Sequence, residues 1–432
     1  MNREMKLSEF YLFVLIIFVP FTAILINRHL IIQLLFLLYV IVLFFLIRGF
    51  SNFHQYKNNI LIFILYMSGL IYLFYYKTGY FSFFLKEFYY INLLILLYWV
   101  FNYFFIYQKR KIRILKLMVV LGTIVSLYCF FEYILQRNLF FQNYFSYKNE
   151  IDGFNPYYRV SGTLYHPIPM STFSMVIMYI SYYLGQHEKK IKYYIYSFIN
   201  LGAVFLTFSR STLIAIAASF FIYKLIIGAC SIIKNREMSI SKSVFKLLRF
   251  TIIITITFCL VNYIKIGGNS IYELIVNRFL AITTTEDSGS FYQRYYGMEF
   301  VIDEMVNNSN PIKFLFGNGY GRLTYNLESM GTTIYGDNFY LIDNQYFTLL
   351  YNIGFVGVLL IGLIVVYRIF THIKKIYLNS QDVKRDIIPF ICLISILIHL
   401  FFYEGLTYIT TTFTLSFTLS LCSLIHGTSK SK

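Results

Sequence analysis

The sequence predicts an all-α polytopic membrane protein with about twelve transmembrane helices and one large helical loop outside the membrane. The first observation is composition: the 432 residues are 58% hydrophobic and only 13% charged, whereas soluble domains carry about 25% charged residues. The second is that apolar runs long enough to cross a hydrocarbon core recur along the chain. The third is a single long polar interruption at 267–345, which precedes the last three runs.

Twelve apolar runs fit the length of a transmembrane helix, because about 20 helical residues cross a hydrocarbon core of about 30 Å. We interpret residues 1–432 as one integral membrane domain built from these runs. The predicted spans are 10–26, 30–47, 60–76, 88–107, 117–135, 168–184, 193–208, 211–228, 250–266, 347–370, 387–403 and 408–425.

The cations predict the orientation of the spans. They concentrate in every second connector, as in 109–116, which holds five Lys or Arg residues. Short cationic loops face the cytoplasm. Both termini are therefore predicted to be cytoplasmic, and the segments 136–167 and 267–345 extracytoplasmic. The net charge of +17 is thus explained by membrane topology, and we expect no nucleic-acid partner. The five cysteines form no CxxC pattern, and we expect neither a metal nor a cofactor.

The large outer loop, 267–345, holds nine acidic and four basic residues. Ser270 and Glu273 have the spacing of a capping box at a helix start. Ser290 and Gln293 repeat that spacing before a second, amphipathic helix, which we expect to end at Asn310–Pro311. This second helix is predicted to lie on the membrane surface or to cap the bundle.

Arginines in the outer segments are candidates for binding phosphate, because the guanidinium fork contacts two phosphate oxygens at once. Arg159 and His166 close the first outer loop, and His166 is interpreted either as a proton shuttle or as a structural loop residue. Arg210 lies in a very short turn between two apolar spans, where an arginine is costly without an anionic partner. Arg294 lies at the rim of the apolar stripe of the second loop helix, and Arg278 lies on the stripe of the first; snorkelling toward lipid is the alternative for Arg278.

Two further motifs lie in the large loop. The run 316–321, FGNGYG, resembles a glycine-rich phosphate loop, which makes Gly317, Gly319 and Tyr320 candidates for substrate binding. It matches neither GxGxxG after a strand nor a P-loop, so a tight structural turn is the alternative. Asp343 and Asn344 lead directly into the span at 347–370.

Taken together, the motifs resemble a known family. RxSGTxxHP, then TxSRS, then QR in a large outer loop, then NPxxxxFGxGxG and DNQYxxxxxxxGxxG follow one another over residues 159–357. Their order and topology are similar to the O-antigen polymerase and O-antigen ligase superfamily of bacterial cell-surface polysaccharide synthesis.

The resemblance implies a GT-C-like fold and metal-independent, inverting glycosyl transfer on the outer side of the plasma membrane. It implies a glycan on undecaprenyl pyrophosphate as donor, and a flippase and a chain-length regulator as partners. The ligase branch typically has His-Asn where this chain has Asp343-Asn344, so the departure favours a polymerase. Transfer of a finished glycan to another acceptor, as in a ligase, remains the alternative within this family. Two alternatives from other functional classes are a flippase of lipid-linked oligosaccharides and a structural scaffold.

This chemistry assigns roles to the candidate residues. Pyrophosphate is a good leaving group that needs cations more than a proton donor, so Arg159, Arg210 and Arg294 are predicted to form a clamp. Asp343 is predicted to be the general base for the acceptor hydroxyl. An N-cap of the following helix is the alternative for Asp343, with His166 or Asp337 as the next candidate base. The predicted substrate-binding residues are Arg278, His166, Asn344, Gly317, Gly319 and Tyr320.

Overall fold

The computed structural model shows a predominantly helical protein. It describes residues 3–21, 30–46, 81–107, 111–141, 155–234, 265–266, 269–270, 273, 276–277, 288–307, 311–329, 333–334, 337–338, 341–379 and 382–423.

The helices of these segments include one that is kinked and several that are only one or two turns long. They are α1 (Arg3–Phe18), α2 (Leu30–Leu46), α3 (Phe81–Asn102), α4 (Lys111–Leu135), α5 (Pro167–Glu188), α6 (Ile191–Leu206), α7 (Arg210–Lys234), α8 (Ser288–Ile302), α9 (Pro311–Phe316), α10 (Arg322–Ser329), α11 (Gln345–Asn379), α12 (Val383–Asp386), α13 (Ile388–Leu400) and α14 (Ile409–Ser423). Short 3-10 turns at Val19–Phe21 and Gly405–Thr407, and π turns at Tyr103–Tyr107 and Asp303–Asn307, complete them.

Two antiparallel pairs of two-residue strands lie between α7 and α11. They are β1 (Lys265–Ile266) with β2 (Asn269–Ser270), and β3 (Thr333–Ile334) with β4 (Asp337–Asn338). Lys265 pairs with Ser270 in the first and Thr333 with Asn338 in the second.

Helices occupy ten of the twelve predicted spans. The other two, 60–76 and 250–264, lie outside the described residues, and the end of the second one forms β1 instead of helix. In the described part of the chain, four helices are long and apolar enough to cross a membrane. These are Lys86–Phe105, Lys111–Leu135, Arg210–Gly228 and Gln345–Lys374.

One large apolar core unites the helices before the outer loop with the last two. Helices α5 and α6 pack along each other under α4, α13 lies against α5 and α7, and α14 lies against α3. At the last contact, Phe101 meets Phe413 and Phe417 edge-on at 5.1 and 5.0 Å between ring centroids. The hydroxyls of Ser416 and Ser420 donate to backbone carbonyls of α3 at 3.0 Å. Small hydroxyl residues thus let the two backbones approach, as they do in membrane bundles.

The outer loop builds a smaller core of its own on α11. Val301 and Met305 are fully buried there, together with Leu323, Leu327 and Ile342, against Tyr351 of α11. Along the predicted apolar stripe, which runs from α8 into the following π turn, Met305 is buried while Tyr295 is 51% and Ile302 45% exposed, and the position of this helix relative to the membrane stays a prediction. The buried face of this region is formed by residues 301 and 305, four positions apart.

One of the two predicted capping boxes in the outer loop is present and the other is not. Ser270 N donates to Glu273 Oε2 at 2.7 Å, and Glu273 N donates to Ser270 Oγ at 3.1 Å, which confirms that capping box. Helix α8 starts at Ser288, so the predicted second box lies inside the helix and does not cap it. Pro311 starts α9 instead of ending α8, because proline fits the first turn of a helix, where an N–H has no partner.

The glycine-rich run 316–321 is a turn docked on the backbone of α11. Asn318 N donates to Tyr351 O at 2.8 Å, and Gly319 N donates to Asn352 O at 2.9 Å. Helix α11 kinks at Gly354, whose φ of 70° is left-handed, and this frees the preceding carbonyls. A Cβ on Gly317 would collide with the Asn352 carbonyl. The contacts therefore assign this run a structural role, and its predicted part in substrate binding stays a prediction.

Candidate functional site

The candidate site centres on a contact between two of the predicted catalytic residues. Arg294 Nη2 of α8 donates to Asp343 Oδ2 at 3.2 Å, with side chains 27% and 19% exposed. Asp343 adopts a left-handed φ of 51°, a conformation that Asp and Asn tolerate better than most residues. Burial raises the pKa of Asp343, and the charge of Arg294 opposes that rise. A partly buried carboxylate is thus held beside a cation just before α11.

Asn344 forms the cap of α11. Its Oδ1 accepts hydrogen bonds from Tyr346 N at 3.1 Å and Phe347 N at 3.3 Å. The alternative in which Asp343 caps this helix is therefore wrong, because the helix begins at Gln345 and its neighbour already supplies the acceptor. The Asp343 carboxylate is directed to Arg294 instead, and substrate binding by Asn344 stays a prediction.

The first outer segment carries Arg159 to the turn that contains Arg210. Arg159 Nε donates to Thr207 O at 3.0 Å, and Val160 N donates to Leu206 O at 3.2 Å. Arg210 starts α7, three residues after Thr207. Two of the three clamp arginines are therefore brought onto adjacent segments of backbone.

Glu132, near the end of α4, shapes this first segment. Its carboxylate accepts from Gly162 N at 2.7 Å, Ser161 N at 3.1 Å and the Tyr158 hydroxyl at 3.2 Å. Gly162 is left-handed, with φ of 58°, and a Cβ there would lie 2.7 Å from Met170 Sδ. We did not predict Glu132 as important, although a lone acid in an apolar span is a signal for it.

His166 caps α5 and packs in an aromatic cluster. Its Nδ1 accepts from Ile168 N at 3.2 Å, and its ring stacks on Tyr403 at 6.1 Å with an angle of 10° between ring planes. Burial, together with the charge of Arg159, lowers the pKa of His166 to about 3. The imidazole is therefore neutral at physiological pH, with its hydrogen on Nε2, and it is a weak proton acceptor.

The turn between α13 and α14 completes the site. Glu404 is 2% exposed there, and the rings of Tyr403 and Tyr408 lie 5.3 Å apart. Burial, with the charges of Glu87 and Asp343, raises the pKa of Glu404 to about 8. Sequence reasoning treated this turn as a short connector. The signal that could have identified it is again a single acid between two apolar spans.

These contacts bring four predicted residues to one end of the bundle. Arg159 acts electrostatically on His166, His166 stacks on Tyr403, and the charge of Asp343 acts on both tyrosines of the turn. Asp343 in turn pairs with Arg294. The arrangement combines a carboxylate, cations from separate segments and aromatic rings in one place.

Arg278, Asp337 and Tyr320 were also predicted for the site. Arg278 is outside the described residues, and Asp337 belongs to β4. Tyr320 is 6% exposed and packs on Ile353 of α11. Within the described ranges, no group of three His, Cys, Asp or Glu side chains is arranged to hold a metal ion.

The comparisons with known proteins leave the site to be interpreted from its geometry. No protein-family model matches the chain, and a search of curated proteins finds no significant match.

Proposed function

We propose that the chain is a membrane glycosyltransferase that polymerises lipid-linked oligosaccharide repeat units. In this proposal about twelve spans form a GT-C-like bundle in a bacterial plasma membrane, with both termini in the cytoplasm. The donor is a glycan on undecaprenyl pyrophosphate and the acceptor is another repeat unit. The observation that carries the proposal is the contact between Arg294 and Asp343, at the end of the bundle where Arg159 and His166 also lie.

The reaction needs one base and several cations. A hydroxyl of the acceptor sugar attacks the anomeric carbon of the donor from the face opposite the pyrophosphate, and its proton passes to the Asp343 carboxylate. The bond between the anomeric carbon and the phosphate oxygen breaks, and its electron pair leaves with the pyrophosphate. The guanidinium groups of Arg159, Arg210 and Arg294 stabilise that developing charge. Attack from the opposite face inverts the anomeric configuration.

The ion pair couples donor binding to the strength of the base. Phosphate oxygens compete with Asp343 for the guanidinium of Arg294, since both are anionic acceptors of the same fork. Once Arg294 turns to the pyrophosphate, Asp343 loses the cation that opposes the rise in its pKa. A buried carboxylate with a raised pKa accepts a proton more readily. Donor binding therefore activates the base.

The test uses purified protein in liposomes with lipid-linked repeat units and no ion gradient. We expect wild-type protein to make a ladder of polymers, which a flippase cannot do. Arg294→Ala is expected to slow the reaction by about 10²–10³-fold, the usual effect of removing one donor to a developing anion. Arg294→Lys should restore little of the lost rate, because an ammonium group cannot make the bidentate contact of a guanidinium.

Asp343→Asn tests the base separately. Asn tolerates the left-handed backbone at this position, and the cap on Asn344 is untouched, so we expect a folded protein without polymer. Arg137→Ala is the matched control, since Arg137 is exposed just after α4 and should keep full activity. An Asp343→Asn protein that polymerises at the wild-type rate would eliminate Asp343 as the base.

A further inference from the structure

Helix α11 divides at its kink into a covered part and a part that faces outward. None of the residues 345–354 is exposed, because the outer loop and the bundle pack around them. Side chains three and four positions apart lie on the same side of a helix. Beyond the kink such a stripe of exposed apolar side chains is formed by Phe355, Leu359, Leu363, Val366 and Phe370. Since α11 is long and apolar enough to cross a membrane, this stripe has the character of a lipid-facing surface.

Helix α9 lies beside the start of this stripe. The ring of Phe314 stacks on that of Phe355 at 5.6 Å between ring centroids, with an angle of 10° between ring planes. The other apolar side chains of α9 are exposed. They are Ile312, Leu315 and Phe316, of which the first is 61% and the last 56% exposed. The exposed apolar surface of α11 therefore continues onto the outer loop.

The position of α9 along α11 is fixed by main-chain contacts. Gly317 N, at the end of α9, donates to Lys313 O at 2.7 Å, and Gly319 N donates to Asn352 O at 2.9 Å. A Cβ on Gly354 would collide with the backbone of Gly317, so the two segments are in direct backbone contact. Helix α9 is therefore held level with the kink, where the exposed stripe begins.

The composition of α9 suits the boundary between lipid headgroups and acyl chains. Its single charged side chain, Lys313, is exposed among the apolar ones. Segments that lie in this boundary bury aliphatic and aromatic side chains toward the acyl chains, while lysine reaches the headgroups. Large exposed apolar patches mark membrane or protein contacts. The continuity with α11 and the exposed cation favour lipid over a protein partner here.

We propose that α9 is an interfacial anchor whose exposed face, at 312, 315 and 316, inserts into the membrane boundary at this end of α11. The partner is the lipid surface, and headgroup phosphates pair with Lys313. The anchor holds the outer loop against the membrane beside the kink. It requires that α11 spans the membrane, and it requires no particular chemistry at Asp343.

Tryptophan fluorescence tests this contact in the full-length protein, reconstituted into phosphatidylcholine vesicles that contain no lipid-linked glycan. A Trp99→Phe background removes the one tryptophan of the chain. Phe316→Trp and Ile312→Trp in that background then report on two positions of α9. Leu363→Trp is the control within the stripe of α11, and Glu328→Trp, at an exposed position of α10, is the control for water.

Two kinds of quencher distinguish lipid from water. Lipids brominated near the headgroup end of their chains should quench both α9 positions more than lipids brominated near the chain end. The order should reverse for Leu363→Trp, because Leu363 lies nine residues beyond Gly354, or about 14 Å along the helix. Iodide on both sides of the membrane should reduce the fluorescence of Glu328→Trp strongly and that of the α9 positions weakly.

Three results overturn the proposal. Strong iodide quenching of Phe316→Trp and Ile312→Trp, without quenching by brominated lipid, would place this face in water. Protection of both positions from both quenchers would mean that protein, such as a second copy of the chain, covers the face. Absence of lipid quenching at Leu363→Trp would remove the stripe of α11 from the membrane, and the anchor with it.

Discussion

Two glutamates are almost equally buried and differ in their partners. Glu132 near the end of α4 and Glu404 after α13 are 1% and 2% exposed. Glu132 accepts two backbone N–H groups and two hydroxyls from residues 158–162. Glu404 leaves Oε2 without any donor in the described part of the chain.

The difference shows that burial alone does not identify a functional acid. A fully satisfied carboxylate organises a loop, and its hydrogen-bonding capacity is used up by the fold. An unsatisfied one is buried at a cost that the described fold does not offset. By this criterion Glu132 is part of the scaffold that holds Arg159, and Glu404 contributes less to the stability of the fold.

The largest loss of stability is expected when Glu132 is substituted. The absence of that loss would contradict the comparison of the two glutamates. Glu132→Ala orphans the amides of Ser161 and Gly162, and each buried donor left without an acceptor costs about 1–3 kcal/mol. We expect a loss of several kcal/mol, seen as a large fall in the unfolding midpoint of the protein in detergent. Glu132→Gln should be intermediate, because it keeps one acceptor oxygen.

Glu404→Gln is the matched variant for stability. No described donor depends on Glu404 Oε2, so its unfolding midpoint should stay near that of the wild type. Equal destabilisation of the two Gln variants would mean that the distinction between a satisfied and an unsatisfied acid does not hold in this protein.

An intermediate loss of stability is expected when Gly162 is substituted. Its backbone N–H donates to Glu132, and its φ is left-handed. Gly162→Ala adds a Cβ that would lie 2.7 Å from Met170 Sδ and 3.0 Å from Cys129 Sγ, in a conformation costing about 1–2 kcal/mol for a non-glycine residue. Gly362→Ala in α11 is the control, because a Cβ there meets nothing within 4 Å. The unfolding midpoint should fall only for the first variant, and a similar fall in both would contradict the tight fit around Gly162.

The smallest expected loss of stability distinguishes two neighbouring residues, Asn344 and Asp343. Asn344 is satisfied like Glu132, as the cap of α11, and Asn344→Ala should lower stability by about 0.5–2 kcal/mol. Asn344→Asp should be nearly neutral, since Asp caps as well as Asn. Asp343→Ala removes no cap and should cost less than Asn344→Ala in the same unfolding measurement; the reverse order would reassign the cap to Asp343.

Hydropathy located the helices that occupy ten of the twelve predicted spans, because each apolar run satisfies its backbone locally, but it did not predict the short helices α9, α10 and α12. The sequence also predicted one local pair of side chains, the Ser270–Glu273 capping box, and the structure confirms it. The second proposed box was wrong because α8 already starts at Ser288. Local spacing cannot tell a cap from an interior turn when both carry serine and glutamine.

The site was predictable only in part, because its contacts join distant segments. Arg294 and Asp343, 49 positions apart, were both chosen from the sequence, and their 3.2 Å contact adds the geometry. Glu132 and Glu404 were missed. Their environment is set only by folding, and a lone acid beside an apolar run looks the same in the sequence whether both of its oxygens are hydrogen-bonded or one is not.

The crossing of the 316–321 turn over the kink of α11 has a consequence for motion. Its hydrogen bonds are made by main chain alone, from the amides of 318 and 319 to the carbonyls of 351 and 352, and the two glycines leave no side chain between the strands of backbone. A change of side-chain rotamer therefore cannot shift the turn along α11. The 316–321 turn is therefore fixed to the backbone of α11, and amide hydrogen exchange at 318 and 319 should be as slow as in the helix itself.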